Sequence, residues 1–227
     1  LDDIPVEVTR GDVRHIRITV SPPDGRVRIA APRHTSLDEI SELAARRLDW
    51  VRRQQIRMRE RGRAQHRDYV DGECHYVWGD PHTLEVVEGR ARPGIHLDGA
   101  VVRLTVRPGS DRAARERIVL RWHHRIVEEA ASALVEAYEP LLGVQVAGVQ
   151  VRRMKTRWGS CTPSKATIRV NSDLATRPPS CLHYVVVHEM LHMLEPGHGP
   201  RFWALMDEVL PDWKKTRSLL RENPPSA

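Results

Sequence analysis

Tyr184-Val185-Val186-Val187-His188-Glu189-Met190-Leu191-His192-Met193-Leu194-Glu195-Pro196-Gly197-His198 is the stretch from which the rest of this chain is read. On a helix, residues four apart lie on one face about one turn apart. His188 and His192 so placed can reach a single metal ion. Glu189 sits one residue on, close enough to take a proton from a water on that metal. The helix has an apolar opposite face, Leu182, Val186, Met190 and Met193, as packing on a core requires. The plainer alternative is a buried helix whose histidines are satisfied by hydrogen bonds. Chance is a poor explanation: with this chain's His and Glu frequencies, H-E-x-x-H is expected roughly 0.04 times.

Zinc in such a site takes a third protein ligand and keeps a fourth position for water. His198 stands just past Pro196-Gly197, which end the helix and turn the chain back. The rival third ligand is a downstream carboxylate, Asp207 or Glu208. The spacing H-E-x-x-H-x5-H equals that of metzincins, with Glu195 where they carry glycine, so the turn falls to Pro196-Gly197. One Zn2+ ion on His188, His192 and His198, with Glu189 as catalytic base, is the expected centre.

Working outward, Met154 to Cys161 reads as a strand entering a tight turn. Cys161 with His183 or His188 as base is a second nucleophile candidate, and a small buried thiol is the simpler reading. Residues 144–153 and 167–170 read as strands. Helices are expected over 180–195, 200–209 and after Pro211-Asp212. In the N-terminal half, residues 13–20 and 27–29 alternate as two strands around a Pro-Pro-Asp-Gly turn. Ser36 and Glu39 make a capping box opening a helix over 36–62. Short apolar runs between 70 and 107, separated by glycine turns, read as a meander or sandwich. A helix over 111–139 then ends at Pro140 and Gly143. The expected division is a β-rich part, 1–110, and a zincin-like, helix-rich part, 111–227, with a soft boundary at Pro108-Gly109-Ser110; a single compact unit is the alternative.

Composition narrows the function classes. The chain has 227 residues and is 40% hydrophobic, enough for a real core and against wholesale disorder. No apolar run approaches the length of a membrane span. Three cysteines, at 74, 161 and 181, cannot make a disulfide framework, and no pair forms CxxC. A reducing, cytoplasmic location is the expectation. The net charge of +6 comes from 36 basic residues, of which only 4 are Lys. Arginines crowd residues 46–67, where they make either a solvated helix face or a contact for nucleotide or nucleic-acid phosphates. Trp50 alone interleaves them, which weakens a base-stacking platform.

Taken jointly, the motifs resemble a known family. Lys155-Thr156-Arg157-Trp158-Gly159-Ser160-Cys161, Ile168-Arg169-Val170-Asn171, the stretch Tyr184 to His192, and His198-Gly199-Pro200-Arg201-Phe202-Trp203 are similar to the YgjP-like metallopeptidases. The resemblance extends to the Pro32-Arg33 helix entry and Asp49-Trp50-Val51. Members more usually carry Leu at position 190 and Ala at 191, apolar exchanges that leave the ligands untouched. The family is itself similar to SprT-like and WLM metallopeptidases, zincins in which a short sheet packs beside the motif helix. The resemblance implies an α+β fold with a zincin-like catalytic part, zinc on His188, His192 and His198, and Glu189 as acid/base.

A zinc-bound water would attack a peptide bond, in a peptide or protein substrate lying along an edge strand near residues 168–171. Arg157, Trp158, Ser160, Asn171 and Arg201 are the residues expected to line or brace the cleft. Arg157, Arg201 or Tyr184 could stabilise the oxyanion. Phe202 and Trp203 would pack the following helix onto the core. Two other readings stay open: a zinc hydrolase of nucleotide phosphoanhydrides, and a DNA-associated protease docking through residues 46–67.

Overall fold

The computed structural model describes residues 4–21, 25–55 and 67–225. The chain divides into two compact units, Leu1–Arg67 and Asp68–Ala227. In the first, β2 (Arg17–Ser21) pairs antiparallel with β3 (Arg26–Pro32), which pairs parallel with β1 (Val6–Gly11). The capping box forms as expected. Ser36 Oγ accepts from the Glu39 N–H at 3.2 Å, and Glu39 Oε2 accepts from the Ser36 N–H at 3.0 Å.

The helix it opens, α1 (Leu37–Arg46), is shorter than the expected 36–62. It breaks at Arg47 and resumes over 48–55; the remainder of the expected helix lies outside the described residues. The break has a packing reason. Ile40 and Ala44 pack on Ile29 and Ala31, whereas Val51 and Leu48 pack with Ile4, Val20 and Val27, so the two segments serve separate clusters.

The second unit holds two sheets. One has the order β4-β5-β7-β6, from β4 (Cys74–Val77), β5 (Asp80–Glu88), β6 (Gly94–Asp98) and β7 (Val101–Val106). Trp78 and Gly79, both at positive φ, make the two-residue turn between β4 and β5. The other has the order β8-β10-β9, from β8 (Gly148–Arg152), β9 (Gly159–Thr162) and β10 (Thr167–Asn171).

Between 106 and 148 runs α2 (Arg112–Leu142), 31 residues and about 46 Å long. Asp111 Oδ1 caps its start by accepting from Ala114 N at 2.7 Å. The helix continues past Pro140 to Leu142, and Gly143 ends it at φ 65° in the left-handed region. Its first half puts Val119 and Trp122 on Leu84, Val102 and Leu104 of the first sheet. Its second half puts Val127, Ala131 and Val135 into the core with Ile168 and Val170 of the second. One helix thus serves both sheets. The sequence boundary expected near 108–111 accordingly falls inside this unit, and the observed division comes earlier, at 67/68.

Three helices complete the fold: α3 (Pro179–Leu191), α4 (Pro200–Val209) and α5 (Trp213–Glu222). The architecture is mixed α+β. No helix among the described residues is long and apolar enough to cross a membrane.

Candidate metal centre

The α3 helix is apolar nearly all round, and Cys181, Leu182, Val185, Val186, Val187, Met190 and Leu191 are all buried. Such a helix must lie inside the core, here against α2, β9 and β10. His188 occupies its last turn and His192 caps its end. The chain then turns tightly, with Met193 N–H donating to Met190 O and Glu195 N–H to Leu191 O. Pro196 and Gly197 follow, and His198 comes back toward the helix.

One ring nitrogen from each of His188, His192 and His198 lies within 4.8 Å of the others, so these residues could hold a metal ion. His188 Nε2 and His198 Nε2 are 3.0 Å apart. His192 Nδ1 is 3.1 Å from the Glu195 carbonyl oxygen. A carbonyl can only accept, so the proton sits on Nδ1 and Nε2 is left as the ligand atom. Phe202, fully buried, is the floor: its ring lies 4.7–4.9 Å from all three imidazoles. Trp203 stacks on His198 at 5.4 Å and on Trp213 at 4.7 Å, and Trp213 stacks on Tyr184. The expected packing role of Phe202 and Trp203 thus becomes a specific one: they support the imidazoles.

Glu189 is 6% exposed beside this group. Burial pushes its carboxyl up to about 8, opposed by nearby Arg157 and by a hydrogen bond from the Cys161 backbone N–H. A divalent cation on the imidazoles would pull it down again. Burial first, then repulsion from His192 and His198, holds His188 down to about 3. The ring is therefore neutral, the form that binds metal.

These shifts predict how the metal-free protein responds to pH. His188 is ordinarily protonated below 6.5 but in the folded chain only below about 3, so it lowers stability as pH falls through that window. Glu189 has an ordinary value of 4.5 and a folded value of about 8, so it lowers stability as pH rises through that window. The two effects oppose each other only between 4.5 and 6.5. Urea midpoints of metal-free protein should fall from pH 6.5 toward 8, and Glu189→Gln should flatten that limb. An unchanged limb in the variant would contradict the assignment.

A cleft of about 440 Å³ opens onto this group, lined by Arg157, Trp158, Gly159, Tyr184, His188 and Glu189 among others. Arg157 and Trp158 stand in the cleft wall. Asn171 is fully buried and braces from behind: its Nδ2 donates to Met154 O at 2.8 Å and Arg157 O at 3.0 Å, and its Oδ1 accepts from Asp173 N. Ser160 lies on β9 opposite Arg169 and is absent from the lining. Arg201 also lies outside it, 78% exposed, with Nε 3.9 Å from Glu195. Of the three oxyanion candidates, Arg157 and Tyr184 reach the cleft and Arg201 does not.

Asp207, a rival ligand, instead accepts from Trp213 Nε1 at 2.9 Å and pairs with Lys214 at 2.9 Å. Burial and Glu189 push the Cys161 thiol up to about 11, which removes it as a nucleophile. His183 lies elsewhere, its Nε2 2.7 Å from the Tyr138 hydroxyl. A larger cleft, of about 650 Å³, lies in the first unit, at Ile16, Ile18 and Trp50.

Three features escaped the sequence. The strand at 168–171, expected to receive substrate, is β10 and central; the edge beside α3 is β9. Gly159 matters for space: a Cβ there would come within 2.5 Å of Glu189 Oε1 and 2.7 Å of Val185 Cγ1. No sequence signal marks that contact. Arg217 and Arg221 also line the cleft. The spacing of Arg217 one helical turn after Trp213 was the available signal.

The family model described as YgjP-like, metallopeptidase domain, matches residues 14–223. The chain belongs to that family. Among solved structures it is similar to the metallopeptidase zymogen abylysin of Pyrococcus abyssi, with 20% identity and a TM-score of 0.38, over 42% of this chain and 97% of the other. It is similar also to the zymogen jannalysin of Methanocaldococcus jannaschii, with 17% identity and a TM-score of 0.38, over 42% and 90%. No curated protein matches the chain.

Proposed function

We propose that this member of a metallopeptidase family hydrolyses peptide bonds with one zinc ion on His188, His192 and His198 and with Glu189 as general base. The observation that carries the reading is the convergence of three imidazole nitrogens on one point beside a buried carboxyl. The donor set fits zinc. Three imidazoles with a fourth direction left for water are a catalytic zinc set. The 3.0 Å approach of two ring nitrogens is close to the separation of neighbouring ligands around one such ion.

Bound there, zinc supplies a Lewis acid that acidifies water and polarises a carbonyl. Glu189 takes the proton of the attacking water and returns it to the leaving amine. The Cys161 N–H and the space left by Gly159 hold its carboxylate in place. Tyr184 and Arg157 stand in the cleft wall where oxyanion charge would develop. An extended substrate would lie along β9, the edge strand whose Gly159 lines the cleft.

Every described residue lining the cleft lies between 157 and 221. Residues 46–67 therefore support a nucleotide or nucleic-acid contact through their sequence alone. Three free thiols, Cys74, Cys161 and Cys181, suit a reducing cytoplasmic setting. Peptide cleavage should vanish on chelation and return with about one equivalent of zinc. Zinc-restored phosphate release from nucleotides, without any peptide cleavage, would replace this reading with the phosphoanhydride one.

A further inference from the structure

Three guanidinium groups line the cleft that holds Glu189: Arg157 from the loop before β9, and Arg217 and Arg221 from α5. Among the described residues none of the three forms an ion pair. Just outside, the contrast is clear. Lys214, one turn earlier on α5, lies 2.9 Å from Asp207 and is neutralised. Among the described residues lining the cleft, Glu189 is the one carboxylate.

Arg217 is the most constrained of the three. It is half-buried, with Cζ 4.6 Å from the Trp203 ring and 5.5 Å from the Trp213 ring. Those indoles are parallel within 12°. A guanidinium held against stacked indoles loses little freedom when an anion binds. Trp203 is also the ring that stacks on His198, so Arg217 stands one aromatic layer from a proposed zinc ligand. Unpaired positive charge beside a site for a divalent cation is unfavourable while the cleft is empty of anions. An anionic group on the substrate reverses that balance.

We propose that this cleft selects peptides bearing a carboxylate beside the scissile bond, with Arg217 the principal selector and Arg157 and Arg221 completing a positive rim. The proposal rests on the peptidase reading above and names its substrate class. The carboxylate can come from an Asp or Glu side chain or from a peptide C-terminus; the chemistry of recognition is the same.

The test uses the full-length, zinc-loaded protein and quenched-fluorescence peptides matched except for Glu, Gln or Lys beside the cleaved bond. Each is made with a free and with an amidated C-terminus. The Glu peptide should exceed the Gln peptide in kcat/KM by roughly tenfold, as a charge-assisted contact provides, and the ratio should shrink with added salt. If the C-terminus is the source instead, the free-acid form of every peptide should lead its amide by that factor. Arg217→Gln should bring the ratio toward one, Arg217→Lys should recover part of it, and Arg217→Glu should move the preference to the Lys peptide. Arg221→Gln, an exposed change, should lower the ratio less.

Equal cleavage of all peptides overturns the selectivity and leaves the peptidase reading standing. A preference that survives Arg217→Gln and Arg221→Gln together also overturns it. Cleavage of no peptide, with nucleotide phosphate release lost in Arg217→Gln, overturns both.

Discussion

Glu189→Gln is expected to lower kcat on a peptide substrate by about 10²–10⁴-fold, the usual contribution of a positioned general base. The replacement keeps the size of the side chain, so the close fit against Gly159 survives. Its amide oxygen can still accept from the Cys161 N–H. The change also removes a buried ionisable group, so folding stability at pH above 8 should rise or hold. Glu189 is not a ligand in this account, and zinc content should not change. The informative comparison is therefore kcat against zinc per chain in the same preparation. A variant that keeps more than about a tenth of wild-type turnover would remove Glu189 from proton transfer.

The second large effect is expected at Gly159, far from Glu189 in sequence. Its φ is not in the left-handed region, so the requirement for glycine is spatial. In Gly159→Ala the new methyl would meet Glu189 Oε1 at 2.5 Å, Val185 Cγ1 at 2.7 Å and Glu189 Cγ at 2.8 Å. Val185 and Glu189 sit one turn apart on α3, which is packed on all sides and cannot withdraw. The carboxyl must swing away or β9 must move off the helix. Overpacking of this kind costs about 1–3 kcal/mol, and displacing a catalytic group by about 1 Å can cost roughly 10²-fold in rate. Chemical denaturation and kcat should both respond, while the three histidines keep their zinc. Wild-type kcat in a stably folded Gly159→Ala protein would contradict the close approach.

The grouping of the three histidines was legible because their spacing is local. His188, Glu189 and His192 lie on one helix and His198 follows one turn of chain, so spacing alone brings them together. Ser36 with Glu39, and the helix starts at Pro200 and after Asp212, were legible for the same reason: caps are read over three or four residues. What the sequence hid depends on distant contacts. β9 is only Gly-Ser-Cys-Thr, without alternation or β-branched bulk until its last residue, and exists because β10 pairs with it. That left β10 to be taken for the edge. The division near 110 looked natural because a Pro-Gly-Ser turn precedes a long helix. That helix, however, buries opposite ends against different sheets and joins what the turn seemed to separate. Arg217 had only its spacing from Trp213 to mark it; its place in the cleft follows from the stacking of Trp203 on Trp213.

In the proposed mechanism His188, His192 and His198 act as one zinc site. Its most direct measurement is the metal content of purified, zinc-equilibrated protein, wild type beside His188→Ala and His198→Ala. Zinc near one equivalent per chain in the wild type, with losses of at least about tenfold in affinity for each variant, is the predicted result. Wild-type protein without stoichiometric zinc, or variants that bind it as tightly, would contradict the account.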